Sequence, residues 1–77
     1  MNVQIIVTVA AEAFGQMDRI AQDLRSAGVD VEQILFALGI ITGSVDPKNL
    51  TLVRRVRGVV TVENESDNPS LQDNSIH

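Results

Sequence analysis

The sequence predicts one small α+β domain whose elements run in the order βαββαβ. Three observations carry the prediction. The hydrophobic repeat switches twice between the two-residue period of a strand and the three-to-four-residue period of a helix. Asp46-Pro47 has the form of a helix start, an acidic cap followed by proline at the first helical position. Gly28, Gly39 and Gly58 punctuate the periodic runs where chain reversals are needed.

Val3, Ile5, Val7 and Val9 alternate with Gln4, Ile6 and Thr8, the pattern of a strand with one buried face. From Glu12 to Ala27 the period changes. Phe14, Met17, Ile20, Ala21, Leu24 and Ala27 recur three and four apart, with polar residues between them, so an amphipathic helix is expected, closed by Gly28. Its start is weakly marked, because Ala10 and Ala11 are poor caps. Val29 to Leu38 and Ile40 to Val45 read as two strands joined by a tight turn near Leu38-Gly39. In the first of these, Val31, Leu35 and Ala37 compete with Ile34, Phe36 and Leu38 for the buried side. A second helix starts at Asp46-Pro47. Leu50, Val53 and Val56 form its apolar stripe, Arg54, Arg55 and Arg57 fall where cations suit the helix dipole, and Gly58 ends it. Val59 to Glu63 is the fourth strand.

These elements bound a domain at residues 1–63. The remainder, 64–77, is acidic and has only Leu71 and Ile76 as large apolar residues, too few to offset the entropy of ordering it. A disordered acidic tail is expected there.

Strand, helix, strand, strand, helix, strand with short connections is the split βαβ arrangement of the ferredoxin-like fold. Right-handed crossovers put both helices on one face of a four-stranded antiparallel sheet. The other face then has no covering element. Ile6 and Thr8 of the first strand, with Ile34 and Phe36 of the second, are the candidate interaction face, because an apolar sheet face on so small a domain marks a contact surface or a dimer interface. A domain of this size buries only roughly 60% of its unfolded surface, which makes association with a second copy or a partner protein an expected source of stability. A homodimer is accordingly the expected state.

The net charge of −4 belongs to the end of the chain. Glu63, Glu65, Asp67 and Asp73 follow the last apolar run, and six acids balance six bases before them. With no basic field and no Trp or Tyr for stacking, nucleic-acid binding is not expected. No apolar run approaches the 18 residues or so that a membrane helix needs, and Val3-Gln4-Ile5-Ile6-Val7 opens the chain without a basic leader, so the cytoplasm is the expected location.

No catalytic constellation is expected either. There is no Cys or Tyr, the one histidine is His77, and the acidic pairs Glu12 with Asp18 and Asp30 with Glu32 read as solvated faces. Lys48 is the only lysine, so a Schiff-base reaction would rest on it alone. Small proteins similar to this one have carried an aldolase name, but a lysine aldolase needs a barrel of more than about 200 residues. Thr8-Val9-Ala10-Ala11-Glu12 stands where a Cys-x-x-Cys metal site would follow the first strand. Neither a metal nor a cofactor is expected.

Two family resemblances bear on the partner. Gly39-Ile40-Ile41-Thr42-Gly43-Ser44-Val45, then Leu50, Val53 and Val56, then Gly58-Val59-Val60-Thr61-Val62-Glu63 resembles the propeptide or I9-type inhibitor domains of subtilisin-like proteases. The resemblance implies a non-catalytic module whose open sheet face packs on a separate subtilisin-like protease and whose segment 64–77 enters the cleft like a product. Val7 through Ile34 is similar instead to an ACT domain, in which a loop passes through a glycine into the first helix and small ligands bind at a dimer interface. Gly15 stands near that glycine's place, preceded by Ala13 and Phe14 where Asp and Pro are usual. This second resemblance makes Ala13, Phe14 and Gly15 the candidate ligand-binding residues.

Overall fold

The computed structural model describes residues 1–64, so most of the expected tail lies outside the described residues. Four strands form one antiparallel sheet: β1 (Val3–Val9), β2 (Asp30–Leu35), β3 (Ile40–Val45) and β4 (Val59–Asn64), in the spatial order β2-β3-β1-β4. With two helices, α1 (Met17–Ser26) and α2 (Leu50–Arg54), this is the ferredoxin-like βαββαβ arrangement. The fourth strand runs one residue further than expected, through Asn64.

Alternation fixes which side chains meet the helices. Ile5, Val7 and Val9 of β1 and Ile41 and Val45 of β3 are buried together with Ala13, Met17, Ile20, Ala21 and Leu24 before and along α1, Val29 after it, and Val53 of α2. Among the described residues no polar or charged side chain is buried with them, so this core rests on apolar burial. Gly43 is the one inward position of β3 without a side chain. A Cβ there would overlap the Asp30 carbonyl oxygen, and Val29 Cγ1 fills the space above it.

The first helical segment begins differently from its expected form. Ala11–Gln16 is a 3-10 turn, and the α-helix starts only at Met17. Gly15 lies within that turn and Ala10 supplies no capping side chain, so nothing local favours a regular α-helical first turn. The far end is as expected. Gly28 N donates to Arg25 O at 3.0 Å and Val29 N to Leu24 O at 3.0 Å, with Gly28 at φ 99°. These two bonds satisfy carbonyls that the helix end would otherwise leave open, and only glycine adopts that φ without strain.

The hairpin is a correction to the expected tight turn. β2 stops at Leu35, and residues 36–39 form one helical turn in which Leu35 O accepts from both Leu38 N and Gly39 N at 3.0 Å. Gly39 closes the turn at φ 68°, and any side chain there would overlap the Phe14 ring. Its carbonyl accepts from Val9 N at 2.8 Å, docking the turn on the end of β1.

Asp46 acts as anticipated. Its Oδ1 accepts from Lys48 N at 3.1 Å, Pro47 takes the first position, and the 3-10 turn Pro47–Asn49 leads into α2. Val53 is fully buried and Leu50 and Val56 pack beside it against the core. The chain leaves through Gly58, whose carbonyl accepts from Ala10 N at 2.8 Å.

Both edge strands carry a bulge. In β2 the pairing runs Val31↔Gly43, then Gln33↔Thr42, leaving Glu32 extra, and in β4 it runs Val9↔Val59, then Thr8↔Thr61, leaving Val60 extra. An extra residue reverses the facing of everything beyond it. Val31 and Ile34, three apart, therefore both pack on the core, as do Val59 and Val62.

Candidate interaction face

The open face is the other parity of the same strands. From β1 it receives Gln4, Ile6 and Thr8; from β3, Ile40, Thr42 and Ser44; from β2, Asp30, Glu32, Gln33 and Leu35; from β4, Val60, Thr61 and Glu63. Among the described residues no element lies over it.

Register divides this face into two ends. Leu35, Ile40 and Thr8 lie side by side across β2, β3 and β1, with Thr61 and Val60 beyond on β4 and Ile6 one step below. Leu35, Ile40 and Ile6 are half-buried and Val60 is 59% exposed. In the turn that follows β2, Phe36 is 55% and Leu38 64% exposed. At the opposite end the side chains are Gln4, Ser44, Asp30 and Glu32. There Gln4 Nε2 donates to Glu32 Oε1 at 3.1 Å, across the intervening β3 whose side chains at that point are short. An apolar end and a hydrogen-bonded polar end thus share one face.

Of the four residues expected on this face, Ile6 and Thr8 lie on it. Ile34 does not. It pairs with Ile41 and packs on the core, because the Glu32 bulge turns it inward. Phe36 is not on a strand but in the turn after β2. Leu35, Ile40 and Val60 take up the apolar positions instead. Ile40 was readable from its neighbours, since Ile41, Gly43 and Val45 share the buried parity. Val60 depended on a bulge that simple alternation does not reveal.

The three residues singled out as a ligand loop are spread by the 3-10 turn. Ala13 is buried in the core, so its side chain is closed to a ligand. Phe14 lies against Gly39 with 39% of its surface exposed. Gly15 is exposed, has no positive φ, and would meet nothing within 4 Å if given a side chain, so this backbone does not require glycine there.

The polar residues weighed for chemistry stand apart. Lys48 is exposed at the start of the second helical segment, and its backbone rather than its ammonium makes the hydrogen bond to Asp46. Among the described residues no three His, Asp or Glu side chains are grouped to hold a metal ion, and no helix is long and apolar enough to cross a membrane. Compared with known protein families, curated proteins and solved structures, the chain matches none of them.

Proposed function

We propose that this chain is a non-catalytic protein-interaction module that binds its partner through the open sheet face, as the propeptide or I9-type inhibitor domains it resembles bind subtilisin-like proteases. The observation that carries the reading is the uncovered apolar end built by Ile6, Leu35, Ile40 and Val60. Scattered single aliphatics are ordinary on a surface, whereas neighbours across three strands make a patch. Thr8, Thr42 and Thr61 between them supply hydroxyls that orient a partner at little desolvation cost.

The test is a titration of the purified chain against a subtilisin-type protease with a chromogenic peptide substrate. Slowing that saturates, and that is lost in Ile40→Ser, supports the reading. No slowing at high micromolar chain removes the inhibitor version. Sedimentation of the chain alone addresses the dimer that the ACT resemblance implies. A homodimer broken by the same Ile40→Ser would mean that the face belongs to a second copy.

A further inference from the structure

The charges of the described domain are sorted by layer. All six basic residues of the chain belong to the helices and the segments joined to them: Arg19 and Arg25 on α1, Lys48 in the turn before α2, Arg54 at its end, and Arg55 and Arg57 in the link to β4. The open face holds none of them. Its charged side chains are Asp30 and Glu32 on β2 and Glu63 on β4, all exposed. The one ion pair among the described residues, Arg19 Nη1 to Asp23 Oδ2 at 2.7 Å, is on α1. Glu32 accepts its hydrogen bond from the neutral Gln4 Nε2.

These acids frame the apolar positions. β2 and β4 are the two edges of the sheet, three strand spacings or about 14 Å apart, and Ile6, Ile40 and Thr42 lie on the strands between them. A partner surface seated on Ile6, Leu35 and Ile40 therefore meets carboxylates at both edges. Acidic groups brought there are repelled, whereas Lys or Arg gains attraction and a faster encounter. A second copy docked face to face brings its own Asp30, Glu32 and Glu63 and no cation, so this face is poorly matched to itself.

We propose that the open face takes a protein surface presenting an apolar anchor flanked by Lys or Arg. The inference rests on the open-face reading above and adds to it the partner's charge. A second copy of this chain is not the occupant.

The experiment is a nitrogen-15 NMR titration of the full chain at about 20 mM salt with two short peptides, one alternating Lys and Leu and one alternating Glu and Leu. The Lys peptide should shift the amide signals of Ile6, Thr8, Ile40, Thr42 and Glu63, and the Glu peptide should shift none of them. In the full-length variant Asp30→Asn/Glu32→Gln/Glu63→Gln, whose substitutions are exposed and keep an acceptor for Gln4, affinity for the Lys peptide should fall about tenfold or more. Raising the salt to about 500 mM should weaken binding by the unsubstituted chain in the same way. Equal shifts of the face by both peptides would overturn the charge inference and leave the open-face reading standing. Lys-peptide shifts that spare the face, or an unchanged affinity in the variant, would overturn it as well, while the open-face reading is judged separately by Ile40→Ser against the protease. Face signals that move when the chain alone is concentrated would give the face to a second copy and overturn the inference.

Discussion

The two faces of the sheet are built from the same strands and differ in one physical respect. On the helix side, Ile5, Val7, Ile41 and Val45 are at most 1% exposed and belong to one cluster of buried apolar side chains. On the open side, Ile6, Thr8, Ile40 and Thr42 occupy the intervening positions, half-buried by one another and uncovered. A residue and its successor on β3, Ile40 and Ile41, thus have the same side chain and opposite surroundings. One face is closed by the helices, and the other leaves its apolar side chains without a covering element among the described residues.

Substitutions graded by face should break or sharpen that contrast. The largest effect belongs to the buried side. Leu24→Ala leaves a cavity under the sheet and should cost about 3 kcal/mol. For a domain of this size the whole stability is on the order of 3–10 kcal/mol, so a sharply lowered urea midpoint is expected. A midpoint within error of the parent would mean the helix face is not the organising core. Next comes the turn that joins the edge strand to the sheet. Gly39→Val combines a positive φ with overlap of the Phe14 ring and should cost about 1–3 kcal/mol. Gly39→Val/Phe14→Ala in one chain should recover part of that loss, and no recovery would show that the backbone alone accounts for it. Smaller again is Asp46→Ala, which removes the acceptor for Lys48 N and should cost about 1 kcal/mol by thermal unfolding. The smallest effect should fall on the open side. Ile6→Thr suits a strand and loses only a half-buried side chain, so a change below about 1 kcal/mol is expected. A loss as large as that of Leu24→Ala would mean that the open face carries the fold as well.

The same contrast explains how much of the molecule was legible in its residues. The order of elements, the Asp46 cap and the Gly28 closure follow from local chemistry, and each lies where the periodicity put it. Local chemistry did not reveal parity along the edges. Val31 and Ile34 are separated by two polar residues, a spacing that fits neither strict alternation nor a loop, and the bulge at Glu32 resolves it by sending both polar side chains outward. Val59 and Val62 repeat the device, but with Val60 and Thr61 between them no polarity signal gave it away. The hairpin was misjudged for a different reason. Phe36 and Leu38 are apolar yet exposed, so hydrophobicity extended the strand three residues past its last ladder bond. Apolar side chains that stay exposed look like core when read from composition.

Ile40 and Ile41 offer the most direct test of the central claim, that one side of the sheet makes the fold and the other meets a partner. Ile40→Ser and Ile41→Ser should be compared for thermal unfolding and for inhibition of a subtilisin-type protease. Ile41→Ser should leave little folded chain at room temperature. Ile40→Ser should remain folded, with a midpoint a few degrees from the parent, and should lose the inhibition. Equal destabilisation by the two substitutions, or an Ile40→Ser chain that inhibits as the parent does, would contradict the account.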